Sequence, residues 1–448
     1  MWIRIEIVHD DRKLIIVPPE LNLEQTCKIV FGNKVVDVEV ESSNELQFDE
    51  KATFDNPITI LFSGKLQEVL LIPKTLRYQV KIENSKLMIG PVIGFMLGVH
   101  NHDYSPRHMR KYTDRLGIYH KVGGLIYAFS PNAVNWEKRC VYGLYYNISE
   151  RKWEYGTFPL PSVIYRRDFH NSSEAIDALF SVTDGRMFNS HRFTKLELYD
   201  FVKSNRELAC TLPPTEISKS YHQLKVFIDK YEKVILKPVH LSRGRGICVI
   251  EKCGSCYRVF DYRNKQPYTM LLEGDEKLEV FFDKNHCFFH NYLVQKYIQF
   301  VKIHNSHFDI RVVMQKKDKT NWQCTGIECR VSKDNMHITN ISKGGYAMDL
   351  YEALRLAYQS ESAIEPIVKE IHAFCQKFCL HMDQMGAHFA EFGIDIALDS
   401  DKNLWFIEAN VFPSFRGFKY MDYDTYLAIR YAPLLYALSL TEFQEDSK

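Results

Sequence analysis

The sequence has almost no net charge, because its 57 Lys and Arg residues are nearly balanced by 56 Asp and Glu residues over 448 positions. A strongly basic chain would suggest nucleic acid or an anionic membrane as a partner. The balance removes that argument, and the 26 Tyr and 29 Phe are not interleaved with basic residues as in a base-stacking surface. We therefore expect no nucleic-acid partner, and partners have to be inferred from local sites.

Long apolar segments are also missing. The longest nearly apolar run covers residues 89–99, contains Gly and Pro, and is too short to cross a bilayer. The N-terminus alternates like a strand and lacks the charged start, apolar centre and cleavage site of a signal peptide. The sequence therefore predicts a cytoplasmic protein without a membrane span.

Regular cysteine spacing and common catalytic motifs are absent as well. The 11 cysteines are odd in number and scattered, unlike the disulfide framework of small secreted domains. Cys253 and Cys256 have zinc-like spacing, but no matching Cys/His pair accompanies them, which favours a turn between strands. The chain has no Gly-Lys-Ser/Thr of a P-loop and no Ser/His or Cys/His triad signature.

The chain does contain strand and helix patterns over a length sufficient for two or three domains. Residues 1–85 read as short strands without a helical period and predict a small β-rich domain. Residues 86–189 alternate strands with candidate helices, one of them at 132–137, and predict a small α/β domain. Residues 190–440 hold the longest helical pattern and the candidate functional motifs. The overall fold class predicted is α+β.

The most informative segment is an acidic hairpin at residues 391–413, where two alternating strand patterns flank a polar turn. With a two-residue loop at 401–402, Asp395 lies opposite Glu408, and Asn410 shares their face. Such hard oxygen ligands suit Mg²⁺ or Mn²⁺, but a solvent-exposed face with ordinary surface acids would show the same pattern. The residues expected on the opposite, apolar face are Ile394, Ile396, Leu398, Trp405 and Ile407.

Two further motifs could contact anions. Lys237 lies in a strand pattern and is followed by a glycine-rich segment at 242–246, whose amides could face phosphate oxygens, although a plain hairpin turn would look the same. Arg311 and Arg330 keep their charge at every relevant pH and present a planar fork to phosphate or carboxylate. The alternative for each arginine is a surface ion pair.

The order of these parts resembles that of the ATP-grasp superfamily, and the details look most like the YheC/YheD group associated with endospore-forming bacteria. The order is Lys195 before a helix, Lys237 on a strand, the glycine-rich turn, Leu-Val-Gln-Lys-Tyr-Ile ending at residue 298, Asp-Ile-Arg311 and the acidic hairpin. The resemblance implies an ATP-grasp fold at 190–440, with two α/β subdomains gripping ATP. A small α/β domain and an N-terminal β-rich domain would precede it.

The resemblance also implies roles for individual residues. Lys195 and Lys237 would approach the nucleotide phosphates. The flexible lid over these phosphates would comprise Ser242, Arg243, Gly244, Arg245 and Gly246. The hinge that holds adenine would comprise Gln295, Lys296, Tyr297 and Ile298, with Gln295 accepting from the exocyclic amine. The Mg²⁺ ligands would be Asp395, Glu408 and Asn410, and the residues facing the γ-phosphate and second substrate would be Arg311, Arg330, Asn340 and Gly344.

The implied activity is ATP-dependent ligation of a carboxylate to an amine through an acyl phosphate, with Lys237, Arg311 and the metals stabilising the transferring charge. The cofactors would be ATP and Mg²⁺, with Mn²⁺ possible, and the carboxylate and amine are not identified by the sequence. Two other classes stay open. One is an ATP-binding structural or regulatory spore component with spore-coat proteins as partners, and the other is an ATP-grasp kinase.

Overall fold

The computed structural model describes residues 1–100, 104–168, 173–240, 245–264, 266–332 and 345–443. Within these ranges the strands form one closed sheet and three open sheets. We call them the N-terminal, middle, third and fourth sheets, in chain order. None of the helices in these ranges is long and apolar enough to cross a membrane.

The N-terminal sheet closes on itself because apolar residues alternate with polar ones along its strands. In the first strand Ile3 and Ile5 are buried, while Arg4 and Glu6 are exposed. The strands are β1 (Trp2–Val8), β2 (Leu14–Val17), β3 (Thr26–Phe31), β4 (Lys34–Ser42), β5 (Ile58–Ser63), β6 (Arg77–Glu83) and β7 (Lys86–Gly90). Strand β7 carries this sheet five residues past the predicted boundary at residue 85.

One helix lies in this region, contrary to the expectation from its pattern. Helix α1 (Gly64–Leu70) begins after Ser63, whose side chain accepts a hydrogen bond from the amide of Leu66 at 3.1 Å. The helix buries Leu66 and Leu70 against the sheet. Its length of only two turns explains why no helical period is visible in the sequence.

The middle sheet contains a parallel core, in which β8 pairs with both β9 and β13. Its strands are β8 (Val92–Met96), β9 (Leu125–Phe129), β10 (Val134–Asn135), β11 (Cys140–Asn147), β12 (Lys152–Pro159), β13 (Val163–Arg166) and β14 (Met187–Phe188). Its helices are α2 (Pro106–Met109), α3 (Tyr119–Val122) and α4 (Glu174–Val182). The helix expected at 132–137 is wrong, because a 3-10 turn (Pro131–Ala133) leads directly into β10.

The third sheet is antiparallel, in the order β15-β20-β16-β17-β18-β19. Its strands are β15 (Thr215–Ile217), β16 (Lys233–Pro238), β17 (Cys248–Cys253), β18 (Cys256–Asp261), β19 (Tyr268–Glu273) and β20 (Tyr292–Lys296). The helices of this region are α5 (Lys195–Ser204), α6 (Arg206–Ala209), α7 (Tyr221–Tyr231) and α8 (Gly274–Asp283). Cys253 and Cys256 flank the turn between β17 and β18, so the expected turn between strands is confirmed.

The fourth sheet has the order β24-β23-β22-β25-β26, with β21 on the edge of β22. Its strands are β21 (Lys302–Ile303), β22 (Ser306–Lys316), β23 (Trp322–Val331), β24 (Tyr346–Met348), β25 (Glu391–Leu398) and β26 (Leu404–Asn410). Its helices are α9 (Leu350–Tyr358), α10 (Glu361–Met382), α11 (Arg416–Met421) and α12 (Tyr423–Ser439). The long helix α10 carries the longest helical pattern of the sequence and buries its apolar stripe of Ile367, Ile371, Phe374, Cys375 and Phe378.

Helix α12 connects the fourth sheet to the middle sheet. Its Arg430 donates through Nε to Asp114 at 2.9 Å, and its Leu434 and Tyr436 pack in the core of the middle sheet. On the other side, Gln315 of β22 donates to the carbonyl oxygen of Ile429 at 2.9 Å. These contacts hold the carboxyl half of the chain against the middle sheet.

Candidate functional site

A row of charged residues crosses four strands of the fourth sheet. The strand register places Glu328 of β23 opposite Arg311 of β22, Arg311 opposite Asp395 of β25, and Asp395 opposite Glu408 of β26. Directly opposed residues have Cβ atoms about 5 Å apart, so neighbouring charges in this row interact strongly. The sequence predicted Arg311, Asp395 and Glu408 as site residues, and the sheet brings them together.

Asp395 is held by two arginines. Arg311 contacts both of its carboxylate oxygens, with the Nη2 to Oδ2 distance at 2.7 Å, and Arg330 approaches Oδ2 at 2.9 Å. Arg330 also donates to Asp309 at 2.5 Å. Burial acts to raise the pKa of Asp395, but the two guanidinium charges outweigh it and hold that pKa below its usual value. This carboxylate is therefore ionised at neutral pH.

Glu328 is a member of the row that sequence reasoning missed. Its side chain is only 1% exposed, and its Oε2 atom has no hydrogen-bond partner among the residues that the structure describes. Burial raises the pKa of Glu328 to about 7, although the charges of Arg311 and Arg330 act to lower it. The available signal was its position two residues before Arg330 on one strand, which places both side chains on the same face.

Two lysines and a glutamine come together at the third sheet. Lys195, the first residue of α5, donates to the carbonyl oxygen of Pro238 at 3.3 Å. Lys237 of β16 donates to Oε1 of Gln295 at 2.7 Å, and Gln295 in turn donates to the hydroxyl of Thr215 at 2.7 Å. The glutamine amide is therefore oriented by partners on both sides.

The two lysines interact electrostatically with Glu408 of the acidic hairpin. Burial, together with the nearby charge of Lys195, lowers the pKa of Lys237 from 10.5 to about 8. Burial also lowers the pKa of Lys195. For both lysines the carboxylate of Glu408 acts in the opposite direction and favours the charged form. Lys195 of α5, Lys237 of the third sheet and Glu408 of the fourth sheet are thus close enough to interact electrostatically.

The acidic hairpin has the predicted pairing of Asp395 with Glu408, but the predicted two-residue loop is wrong. The amide of Asp399 donates to the carbonyl of Asn403 at 3.2 Å, and Lys402 has a φ of 69°, so the loop comprises residues 400–402. A bulge beside Asp395 then shifts the register by one residue, so that Asp395 still pairs with Glu408 as predicted.

This bulge also changes which residues of β26 face the core. Leu404, Phe406 and Ala409 are buried there, instead of the expected Trp405 and Ile407. The Nε1 atom of Trp405 donates to Asp399 at 2.8 Å. The expected burial of Ile394, Ile396 and Leu398 on β25 is confirmed.

The expected hinge is partly occupied by contacts within the chain. The amides of Lys296 and Tyr297 donate to the carbonyls of Pro214 and Lys233, at 2.9 Å and 3.0 Å. Ile298 is buried. The carbonyl oxygen of the Gln295 side chain, predicted to accept from adenine, already accepts from Lys237.

Several predicted residues lie outside the described part of the chain. These are Ser242, Arg243 and Gly244 of the lid, and Asn340 and Gly344 near the second substrate. At the end of the lid segment, Arg245 is exposed and Gly246 has a φ of 75°, a backbone conformation that favours glycine.

The predicted metal ligands fit Mg²⁺ by chemical type, since they offer two carboxylates and one amide oxygen. Asn410 donates through Nδ2 to Oε1 of Glu408 at 3.1 Å, so these two side chains are adjacent. Asp395, however, already accepts from two arginines. Within the described ranges no group of three or more His, Cys, Asp and Glu residues forms a metal site, and the metal assignment stays a prediction.

A family model described as YheC/D-like ATP-grasp matches residues 184–440, more than half of the chain. The chain belongs to this family. This agrees with the resemblance drawn from the motifs, and the α+β ATP-grasp fold follows from it.

Two curated relatives come from Bacillus subtilis (strain 168). The endospore coat-associated protein YheD is 24% identical over 426 residues, which cover 91% of this chain and 89% of that protein. The endospore coat-associated protein YheC is 22% identical over 202 residues, which cover 45% of this chain and 54% of that protein.

Among solved structures, the ATP-grasp ligase PsnB in complex with minimal precursor, Mg and ADP is similar with a TM-score of 0.42. The two chains are 14% identical, and the match covers 77% of this chain and 98% of PsnB.

Proposed function

We propose that this protein binds ATP with Mg²⁺ between its third and fourth sheets and acts as a carboxylate-amine ligase. The observation that carries the proposal is that Lys195 and Lys237, the latter hydrogen-bonded to Gln295, both interact electrostatically with Glu408 of the acidic hairpin. Two partly buried lysines with lowered pKa values form a site that gains from an anionic ligand, because such a ligand stabilises their charged forms. A polyphosphate would supply that charge.

The residues proposed to hold the nucleotide lie on the third sheet and its neighbouring segments. Lys195 and Lys237 would contact phosphate oxygens, and the lid ending at Gly246 would cover them. The hinge residues Gln295 to Ile298 would flank adenine. Binding would have to release Gln295 or Lys237 from their mutual hydrogen bond, or add a second acceptor contact to the glutamine oxygen.

Asp395, Glu408 and Asn410 are the residues that would hold Mg²⁺, with Mn²⁺ as a substitute. When bound, the metal would neutralise charge on the phosphate oxygens during transfer. Arg311 and Arg330 lie beside Asp395 and would orient the γ-phosphate and the second substrate. These side chains position and stabilise charge, so no protein nucleophile is needed.

The proposed reaction balances without a further reactant. A substrate carboxylate oxygen attacks the γ-phosphorus of ATP, the bond to the β-phosphate oxygen breaks, and ADP leaves. An amine then attacks the acyl carbon of the resulting acyl phosphate and loses a proton, and inorganic phosphate departs. Arg311 would stabilise the charge on the transferred group in the first step.

A second candidate is an ATP-binding component of the spore that does not catalyse ligation. The observation in its favour is that both curated relatives are named endospore coat-associated proteins. Spore-coat proteins would then be its partners. ATP binding would fix the position of the third sheet relative to the fourth, and no product would form.

The discriminating experiment incubates the protein with ATP, Mg²⁺ and a panel of carboxylates and amines, and follows ADP together with product mass. ADP and a condensed amide support the ligase. ADP with a stable phosphorylated hydroxyl would indicate a kinase. Tight ATP binding without turnover across a spore-metabolite panel favours the binding component, and absence of ATP binding would contradict all three.

A further inference from the structure

The two arginines beside Asp395 differ in their remaining partners. Arg330 has a second carboxylate, since it donates to Asp309 at 2.5 Å. Arg311 contacts Asp395 and, at 3.5 Å, the carbonyl oxygen of Ser414. Within the described ranges, Arg311 therefore has hydrogen bonds to only one carboxylate.

Metal binding at Asp395 would disturb Arg311 more than Arg330. The two oxygens of a carboxylate offer about four lone-pair sites. Three of these sites on Asp395 accept from guanidinium nitrogens. A cation repels the guanidinium groups as well as competing for the oxygens. Arg311 is buried, so losing its carboxylate without a replacement would leave an unpaired charge inside the protein.

Glu328 lies directly across from Arg311 on the side away from Asp395. It is almost completely buried, and its Oε2 atom has no hydrogen-bond partner among the described residues. A buried carboxylate oxygen without a partner is costly in a static protein. The cost is understandable if this oxygen has a partner in another state of the site.

We propose that Glu328 is the alternative counter-ion of Arg311, which moves from Asp395 to Glu328 when a divalent cation binds Asp395. The inference rests on the proposed metal role of Asp395 and deepens it. Glu328 is a positioning residue, since it acts through Arg311 and does not itself hold the metal. The exchange needs only a side-chain rotation, because the three residues occupy adjacent positions on neighbouring strands.

The test measures Mn²⁺ binding to the full chain without nucleotide, by electron paramagnetic resonance of free Mn²⁺. The variants are Glu328→Gln and Glu328→Asp, with Asp395→Asn as the control for the metal site. Glu328→Gln removes the charge and keeps the shape. Glu328→Asp keeps a carboxylate directly opposite Arg311, the arrangement in which Asp395 already reaches this arginine, and is the conservative variant.

The counter-ion exchange predicts that Glu328→Gln binds Mn²⁺ at least about tenfold more weakly than the wild type, and that Glu328→Asp retains most of the affinity. Wild-type Mn²⁺ affinity in Glu328→Gln would overturn the inference while leaving the metal site intact. If overall charge alone caused the loss in Glu328→Gln, Arg311 would stay on Asp395 in the Mn²⁺-bound protein. Wild-type binding that persists in Asp395→Asn would overturn the metal role itself and the inference with it. Thermal unfolding of each variant shows whether it is folded.

A crystal structure with Mn²⁺ provides a direct second measurement that does not depend on a variant. The expected result is a hydrogen bond from the Arg311 guanidinium to Oε2 of Glu328. A metal on Asp395 with Arg311 still paired to both Asp395 oxygens would refute the exchange.

Discussion

Lys237 provides the sharpest test of the anionic ligand, because its charge is sensitive to pH. Its pKa lies at about 8 in the folded protein, mainly through burial. At pH 9 only ~10% of the molecules would carry the charge, and at pH 7 ~90% would. A bound polyphosphate favours the charged form, so ATP binding at pH 9 should take up close to one proton at this site.

The expected change in ATP affinity with pH follows from the same pKa of Lys237. Between pH 7 and pH 9 the ATP affinity should fall about tenfold, because binding must then include protonation of Lys237. Calorimetry in buffers of different ionisation enthalpy measures both the affinity and the proton uptake. In Lys237→Arg the guanidinium keeps its charge at all these pH values. Proton uptake on ATP binding to this variant should therefore shrink to the smaller contribution of Lys195, whose pKa is also lowered.

Stability provides an independent measurement of the same perturbation. The folded pKa of about 8 lies below the usual 10.5, so the unfolded chain binds more protons between these values and the stability of the ligand-free protein rises with pH across that window. Lys237→Met should therefore increase the free energy of unfolding most below pH 8 and progressively less toward pH 10.5. Proton uptake equal in wild type and Lys237→Arg, with a pH-independent effect of Lys237→Met, would refute the reasoning.

Three further predictions concern the hairpin, the glutamine and a close contact. Glu408→Gln should abolish the Mg²⁺-dependent part of ATP affinity, and calorimetry showing equal affinity in both proteins with and without Mg²⁺ would contradict this. Gln295→Ala removes the side chain proposed to accept from adenine, so ATP affinity should fall, while Thr215→Val, which removes only the partner that orients this side chain, should have a smaller effect in the same assay. Gly393→Ala would place a Cβ 2.4 Å from Pro413 and 3.2 Å from Cδ of Arg311, and should cost about 1–3 kcal/mol in urea unfolding. Gly64→Ala, where nothing lies within 4 Å, is its control and should be close to neutral.

Features with a local cause were predictable from the sequence. The apolar stripe of α10 repeats along one segment, so its burial follows from helical geometry alone. At the start of α7, Ser218 and Ser220 are both suitable capping residues, and Ser220 caps the helix by accepting from the amide of Gln223. Helix ends depend on which of several suitable side chains meets a free amide, which the sequence leaves open.

Features created by strand pairing outside the acidic hairpin were not predictable. Glu328 becomes important only because β23 pairs with β22 and places it across from Arg311. The contact between Lys237 and Gln295 likewise requires β16 to lie beside β20, where Ile235 is opposite Gln295 and Lys237 is its neighbour two residues along. The residue types suggested a charged site, but the identity of each partner depends on the register.

The acidic hairpin shows how a correct pairing can be reached through an incorrect loop. A straight ladder from a two-residue turn and a bulged ladder from a three-residue turn both place Asp395 opposite Glu408. They differ in the residues between, because the bulge shifts the alternation of faces along β26. Phe406 can therefore face the core before the bulge and Ala409 after it, while Glu408 stays beside Asp395. A strand with regular alternation would turn Glu408 and Phe406 to the same face, so the bulge is what allows an apolar core and an acidic site to share this short strand.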